Sequence, residues 1–168
     1  MKKLLYIFLI LASFGISAQT TVEEYLNRGF SSLFTKDFNG AIAEYSKAIA
    51  LDPNNTEAYS SRGYAKGALK DYNGAMADLT KAIDFNPNDD YGYSLRAKVK
   101  EALKDYNGAM ADYTKAIALD PNNAEDYLSR AKAKEALKDY NGAMADYNKA
   151  IAVYTKAIEL DPNNKEAY

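Results

Sequence analysis

The sequence predicts an all-α solenoid of stacked helix–turn–helix units, and three observations support this prediction. Prolines recur 34 residues apart, at Pro53, Pro87 and Pro121, and each closes a near-copy of one phrase. Each phrase contains two apolar stripes with steps of three, four and seven residues, which place side chains on one face of a helix. A turn separates the stripes, as at Lys70 to Gly74. A fixed period of this length is typical of units that bury their apolar faces only by stacking on neighbours.

Residues 1–18 have the layout of a secretory signal peptide. Lys2 and Lys3 form a basic start, an apolar run continues to Phe14, and small residues end the segment. The run is shorter than the roughly 20 apolar residues that span a membrane, so cleavage is favoured over retention as an anchor. We therefore expect an exported protein of bacterial type, periplasmic or secreted. Its mature domain would be 19–168, with no stable membrane insertion after cleavage.

Counting back from each proline divides the mature chain into four repeats and the start of a fifth. These segments are 22–55, 56–89, 90–123, 124–164 and 165–168. The Asp52-Pro53 step is expected to end the helix before it, because a residue that precedes proline avoids the helical region. Asp71 is expected to cap the second helix of its repeat, since aspartate accepts hydrogen bonds from first-turn N–H groups.

The fourth repeat contains seven extra residues. Residues 149–152, Lys-Ala-Ile-Ala, recur as residues 156–159, Lys-Ala-Ile-Glu, so this segment resembles an internal duplication. Seven residues make nearly two helical turns and shift the apolar face by only about 20°. We therefore predict one long final helix that overhangs the end of the solenoid, rather than a bulge.

The repeats share a skeleton of small and aromatic residues. In the third repeat it comprises Tyr93, Arg96, Ala97, Lys100, Ala109, Tyr113, Ala116 and Pro121. In the second repeat it comprises Tyr59, Arg62, Gly63, Lys66, Ala75, Leu79, Ala82 and Pro87. This pattern resembles the tetratricopeptide repeat (TPR) family, although Arg and Lys replace an apolar and an aromatic residue of its motif. The resemblance implies a right-handed superhelical solenoid that holds protein or peptide partners.

Composition argues against several classes of function. The chain has no histidine and no cysteine, which removes the usual metal ligands, the thiol nucleophile and the commonest general base. Its net charge is −2, and removal of Lys2 and Lys3 would make it more acidic, so we expect no nucleic-acid partner. The Asp-Pro-Asn-Asn loops lack the glycine and the distal glutamate of calcium-binding loops. We therefore expect no catalytic residues, no cofactor and no bound metal.

One arginine recurs in every repeat with an acid sixteen residues after it. The arginines are Arg28, Arg62, Arg96 and Arg130, and the acids are Glu44, Asp78, Asp112 and Asp146. Because arginine suits a partly buried bidentate pair, we predict a ladder of structural ion pairs between the two helices, within or between repeats. The alternative is a row of ligand-binding arginines, which is less favoured because every arginine has a fixed acidic partner.

In the TPR family, the first helix of each repeat lines a concave groove that contacts partners. The resemblance assigns to this groove Phe30, Phe34, Tyr64, Tyr91, Ser94, Lys98, Glu101, Leu128, Lys132 and Glu135. Aromatic residues such as Phe34 are typical binding anchors, but Phe34 also suits a cap on the N-terminal end. Lys98 with Glu101, and the equivalent pair one repeat later, are alternatively i, i+3 helix pairs on a solvated face.

Chaperone-binding members of the family hold a C-terminal carboxylate with paired Lys and Asn side chains on these helices. Where the lysine would stand, this chain has Ser60, Ser94 and Leu128. Where the asparagine would stand, it has Tyr64, Lys98 and Lys132. We therefore do not expect the chain to capture a chaperone tail.

The apolar face of the final helix suggests a second hypothesis. Terminal repeats usually need a polar outer face, whereas this helix carries Tyr147, Ile151, Tyr154 and Ile158. The leading prediction is a non-catalytic scaffold that binds a peptide or protein partner in its groove. The alternative is a structural protein that assembles into a homo-oligomer through these four residues.

Overall fold

The computed structural model describes residues 21–160, and this part of the chain contains eight helices and no strand. The helices are α1 (21–34), α2 (Phe38–Leu51), α3 (Thr56–Ala68), α4 (Tyr72–Phe85), α5 (Asp90–Ala102), α6 (Tyr106–Leu119), α7 (Ala124–Ala136) and α8 (Tyr140–Leu160). They form four consecutive helix–turn–helix pairs, so the predicted all-α repeat fold is confirmed. The predicted signal peptide, 1–18, and the start of a fifth repeat, 165–168, lie outside the described residues.

The second helix of each repeat begins at an aspartate cap. Asp71 Oδ1 accepts a hydrogen bond from the Gly74 backbone N–H at 2.9 Å, as predicted for this N-cap. The same bond recurs at Asp37, Asp105 and Asp139. A Cβ atom on Gly74 would lie 2.1 Å from Asp71 Oδ2. The glycine of the Lys-Asp-Tyr-Asn-Gly turn is therefore the residue that lets the aspartate approach the helix.

The first helix of each repeat ends at a lysine in the left-handed region. Lys36, Lys70, Lys104 and Lys138 have φ between 60° and 64°. Around Lys104, the N–H of Asp105 donates to the carbonyl of Lys100 at 2.9 Å and so closes the helix end. Glycine usually occupies this position because a Cβ is strained there. Because each repeat has lysine instead of glycine here, the left-handed turn could not be predicted from the sequence.

The two helix pairs up to Phe85 form one compact unit. Its core contains Ala41, Tyr45, Ala48, Ala58 and Ala65, with Val22, Tyr25, Leu26 and Leu33 packed against it. Gly29 allows α1 to approach α2 closely, since a Cβ at this position would lie 2.7 Å from the Tyr45 ring. Small residues at helix contacts therefore set the spacing in this unit.

The two helix pairs from Asn86 onward form a second compact unit. Tyr113 is fully buried against Ala97 and Ala109. Helix α7 contacts α8, α6 and also α5, so the first helices of the two repeats lie side by side within this unit.

The last helix, α8, is one continuous helix of 21 residues, Tyr140–Leu160. Its buried residues are Ala143, Asp146 and Ala150, and none of the described residues after Ala150 is buried. The prediction of a single long helix without a bulge is therefore confirmed. Neither α8 nor any other helix within residues 21–160 combines the length and apolarity needed to cross a membrane.

Candidate binding surfaces

Three of the four predicted arginine–acid pairs are present, and each joins the two helices of one repeat. Arg96 donates to both oxygens of Asp112, from Nε and Nη2, each at 2.8 Å. Arg62 donates in the same way to both oxygens of Asp78, and Arg130 to both oxygens of Asp146, at 2.7–2.9 Å. These fork-shaped contacts fix the orientation of both side chains as well as their distance.

A lysine completes each of these three pairs. Lys66, Lys100 and Lys134 place Nζ within 2.7–2.8 Å of the acid in their own repeat. Hydrogen bonds from Arg96 and Lys100 outweigh the opposing effect of burial and lower the pKa of Asp112. This role of the lysines was not predicted, although they recur four residues after these three arginines.

The arginines also join consecutive repeats. Arg62 Nη1 donates to Ser46 Oγ at 3.0 Å, and Arg130 Nη1 donates to Thr114 Oγ1 at 3.0 Å. Each of these hydroxyls belongs to the preceding repeat of the same compact unit. Every nitrogen of these two guanidinium groups thus has a partner within the fold, which favours the structural interpretation over a ligand-binding row.

The first repeat does not form its predicted pair. Arg28 binds Glu24 on its own helix instead of Glu44, and both of these side chains are more than half exposed. Glu44 binds Lys47, one turn along α2, at 2.5 Å. Ser32 stands where the other repeats have their lysine, so the second cation that holds the acid is missing. The prediction of an Arg28–Glu44 pair is therefore wrong.

A pocket of about 600 Å³ lies beside this unformed pair. Its lining comprises Glu23, Glu24, Asn27, Arg28, Ser31, Ser32 and Glu44. The Oε2 atom of Glu44 is buried, and it has no hydrogen-bond partner among the described residues. The pocket thus coincides with the place where the repeat pattern is broken.

The groove residues predicted in the first compact unit are aromatic and exposed. Phe34 is 84% exposed and Phe30 is 67% exposed. The ring of Tyr64 lies edge-on to Phe38, with 6.4 Å between the ring centroids, and remains partly open. This exposure leaves the rings accessible to a partner.

In the second compact unit, the lysine–glutamate helix pairs considered as the alternative to a binding groove are not formed, and tyrosine hydroxyls bind the glutamates instead. Tyr113 donates its hydroxyl to Glu101 Oε2 at 2.5 Å, and Tyr147 donates to Glu135 Oε2 at 2.9 Å. Both predicted lysines of this surface, Lys98 and Lys132, are exposed. Among residues 21–160, neither has a carboxylate oxygen within 4.0 Å. The same unit exposes Tyr91 and partly buries Leu128.

Ser94 is not an open groove residue, which corrects its assignment. It is buried, and its hydroxyl donates to Asp126 Oδ2 at 2.8 Å. The amide of Asn123 donates to the same oxygen at 3.0 Å. Burial raises the pKa of Asp126, and the Ser94 hydrogen bond partly opposes this effect. Asp126 was not among the predicted residues, and its repeat position is occupied by Glu24, Ala58 and Gly92 in the earlier repeats.

The residues predicted for self-association differ in their environments. Tyr147, Tyr154 and Ile158 are partly buried, and the Tyr147 hydroxyl donates to Glu135. Ile151 is 61% exposed, whereas its equivalent one repeat earlier, Ile117, is only 9% exposed. The open part of this face is therefore centred on Ile151.

The carboxylates of the described chain are arranged for pairing rather than for metal binding. Within residues 21–160, no group of three or more acidic side chains has an arrangement that could hold a metal ion. The buried acids Asp78, Asp112 and Asp146 each face two cations of their own repeat. The chemistry that these surfaces offer is the binding of charged and aromatic groups.

Comparison with protein families gives several matches along the chain. A family model described as TPR repeat matches residues 35–70 and 102–138. A second, described as Tetratricopeptide repeat, matches residues 56–89, 127–153 and 140–164. The last two matches overlap over residues 140–153, which include the first copy of the duplicated phrase. The comparison with curated protein sequences gave no match.

Solved structures with the same fold include TPR domains of varied origin. A crystal structure of MamA has a TM-score of 0.78 and 24% identity, covering 88% of this chain and 86% of its own. The Arabidopsis OM64 TPR domain has a TM-score of 0.69 and 26% identity, with coverage of 70% and 98%. The first TPR of Spaghetti (RPAP3), bound to the HSP90 peptide SRMEEVD, has a TM-score of 0.69 and 27% identity, with coverage of 71% and 94%.

Proposed function

The chain belongs to the tetratricopeptide-repeat family, and from this premise we propose that it is a non-catalytic scaffold for a peptide or protein partner. The partner would bind along the first helices of the repeats. One observation carries the proposal: Lys98 and Lys132 are exposed at equivalent positions, one repeat apart, without an ion-pair partner among the described residues. The neighbouring carboxylates of Glu101 and Glu135 are held by tyrosine hydroxyls instead.

The chemistry of this surface favours a partner with acidic groups. Two unpaired ammonium groups attract carboxylates and raise the rate of encounter with an acidic segment. The related RPAP3 domain was solved with an acidic HSP90 peptide, which supports a peptide as the kind of ligand. This chain has Ser94 and Lys98 where chaperone-binding members have the Lys and Asn of their carboxylate clamp. Its contacts would therefore differ from that clamp.

The test is capture of a partner by the purified chain, compared between two double variants. Lys98→Glu with Lys132→Glu reverses both charges on the proposed surface. Lys115→Glu with Lys149→Glu makes the same change on α6 and α8, at exposed positions also one repeat apart. We expect the first variant to lose the captured partner and the second to keep it.

A quantitative readout separates specific binding from general charge effects. The captured partner is titrated against each variant, and we expect the affinity to fall at least about tenfold only for the Lys98 and Lys132 variant, as for buried charge pairs at interfaces. Equal losses in both variants would show that net charge alone drives capture. Retention by both would place the contact elsewhere and refute the proposed surface.

A second candidate function is self-assembly through α8. The specific observation is the exposure of Ile151, whose equivalent Ile117 is buried by the packing of its own unit. Met144, seven residues earlier on the same face of α8, is also 60% exposed. A neighbouring copy that covered these side chains would remove apolar surface from water, which favours association. The partner would then be a second copy of this chain.

We also propose that the protein is exported. This proposal rests on residues 1–18 alone, which combine a basic start, an apolar run and small residues at the end. Fractionation of the source cell and N-terminal sequencing of the recovered protein would test it. A mature N-terminus at residue 19 is the expected result, and an uncleaved protein in the cytoplasm would contradict it.

A further inference from the structure

The acid of the first repeat differs from its three equivalents in the groups that hold it. Asp78, Asp112 and Asp146 each receive an arginine and a lysine from their own repeat. Those cations lie on the first helix of each repeat, whereas Glu44 receives no arginine or lysine from α1, and within the described chain only Lys47 on its own helix binds it. Its Oε2 atom is buried without a hydrogen-bond partner among those residues. Because buried polar atoms are normally paired, this site lacks a donor.

The position of the missing donor is known from the other repeats. Lys66, Lys100 and Lys134 share one repeat position, and Ser32 occupies it in the first repeat. Serine has a short side chain that cannot reach as far as a lysine. Ser32 and Glu44 both line the pocket of about 600 Å³. The pocket therefore covers the two positions that the lysine and the acid occupy elsewhere in the chain.

The charges around the pocket favour a cation. Glu23, Glu24 and Glu44 contribute three carboxylates, and Arg28 is the cation in the lining. Arg28 is already paired with Glu24, and Lys47 binds the Oε1 atom of Glu44. Among the described residues this leaves Glu23 without an ion-pair partner and the Oε2 atom of Glu44 without a hydrogen-bond donor. The hydroxyl of Ser32 adds an acceptor for an N–H donor.

We propose that this pocket binds the side-chain ammonium of a lysine from a partner protein, with Glu44 as its counter-ion. The ammonium would supply the donor that Lys66, Lys100 and Lys134 supply in the other repeats. Its compact charge and three N–H donors match a site formed by a carboxylate and hydroxyls. The last torsion of a glutamate is broad and roughly two-fold, so the carboxylate of Glu44 can turn to present an oxygen to the guest.

This inference goes beyond the proposed scaffold surface. The pocket lies in the first compact unit and does not involve Lys98 or Lys132, which lie in the second. The Lys98→Glu, Lys132→Glu variant is therefore expected to bind the probe described below as the unchanged chain does. The two proposals can fail separately.

The experiment uses a minimal lysine probe and the full chain. The probe is acetyl-Gly-Lys-Gly-amide, and the control peptide replaces its lysine with norleucine, which keeps the stem but has no charge. Binding is followed by NMR through the backbone amides of Gly29, Ser31 and Ser32. We expect saturable shifts with the lysine peptide, with a Kd on the order of millimolar, and none with the norleucine peptide.

Three variants identify the groups that bind the probe. Glu44→Gln should weaken binding roughly tenfold or more, because it removes the charged acceptor. Ser32→Lys should weaken it as much while keeping Glu44, because the chain then supplies its own ammonium. Glu23→Gln removes the same unit of charge from the pocket rim and should change the Kd by less than about twofold.

Circular dichroism of each variant verifies that the fold is retained before binding is compared. The proposal is overturned by any of four results. The first is that the lysine peptide causes no saturable shift in the unchanged chain, and the second is that the norleucine peptide binds equally well. The third is that Glu23→Gln weakens binding as much as Glu44→Gln. Unchanged binding in Ser32→Lys would also overturn it, because the ammonium would then bind elsewhere.

Discussion

Asp126 is a carboxylate that the fold buries against two neutral donors. It is 1% exposed and accepts hydrogen bonds from Ser94 and Asn123. Burial raises its pKa, the nearby charges of Asp90 and Glu125 add to the rise, and Lys98 opposes it. A group whose pKa is higher in the folded state binds more protons there, so its contribution to stability decreases as the pH rises through that pKa.

We predict that Asp126→Asn makes the protein more stable than the unchanged chain at neutral pH. The amide keeps an oxygen that can accept the two hydrogen bonds, and it removes the desolvated charge. The difference should shrink as the pH falls through the raised pKa of Asp126, since protonation then neutralises the aspartate as well. Urea unfolding at neutral pH and at about pH 4, near the ordinary pKa of aspartate, measures this difference.

Asp112→Asn is the matched control with the opposite sign. Arg96 and Lys100 lower the pKa of Asp112 despite its burial, so its stabilisation is present above its unfolded pKa and is lost as the pH falls through the folded one. This variant should therefore be destabilised at neutral pH, with a smaller deficit in strong acid. A stability difference for Asp126→Asn that does not depend on pH would contradict the assigned burial effect.

The contacts of residues that follow the repeat could be predicted from the sequence, whereas the contacts of residues that depart from it could not. Arg62 and Asp78 recur at fixed spacing, which predicted their pair. Arg28 keeps the same spacing to Glu44 but has a nearer acid on its own helix, in Glu24. No other repeat has an aspartate at the position of Asp126, so periodicity carried no information about its burial.

At the scale of the element, each repeat is defined by how its first helix ends and its second begins. The aspartate cap was predicted because aspartate is a common N-cap. The left-handed lysine before it was not, because only glycine would have indicated that conformation in a sequence. The strain at Lys104, with φ of 63°, is therefore a structural finding that can be tested.

We predict that Lys104→Gly stabilises the protein by roughly 0.5–1 kcal/mol. A residue with a Cβ in the left-handed region costs about 1–2 kcal/mol, and glycine relieves this strain. The greater freedom of glycine in the unfolded chain offsets part of the gain. Thermal or urea unfolding of the variant beside the unchanged chain measures the difference.

Lys115→Gly is the control for this change, because Lys115 is exposed inside the helix α6. It removes the same side chain and the same charge, but from a residue with helical geometry, and should cost about 1 kcal/mol. Opposite signs for the two variants would assign the effect to backbone strain at Lys104. If both destabilise the protein equally, the left-handed turn stores no strain.

At the scale of the whole molecule, near-identical repeats place similar side chains in different surroundings. Ile117 and Ile151 occupy the same repeat position, yet Ile117 is buried and Ile151 is exposed. Lys66 completes the ion pair at Asp78, whereas Ser32, at the same repeat position, lines a pocket beside Glu44. The fold could be predicted from the shared residues, and the candidate sites arise where a repeat lacks a neighbour or a residue that the others have.

The exposed face of α8 leads to a prediction about the mass of the protein in solution. If a second copy covers this face, the unchanged chain should sediment as a dimer or larger assembly, with a mass that falls on dilution. Ile151→Asp with Ile158→Asp should yield the monomer, because burying two carboxylates in an apolar contact is strongly unfavourable.

The control, Ala145→Asp with Ala152→Asp, adds the same charges seven residues apart at exposed positions of α8 and should keep the assembly. Circular dichroism separates a loss of association from a loss of α8. A monomer at every concentration of the unchanged chain would exclude self-assembly and leave partner binding along the first helices as the function to pursue.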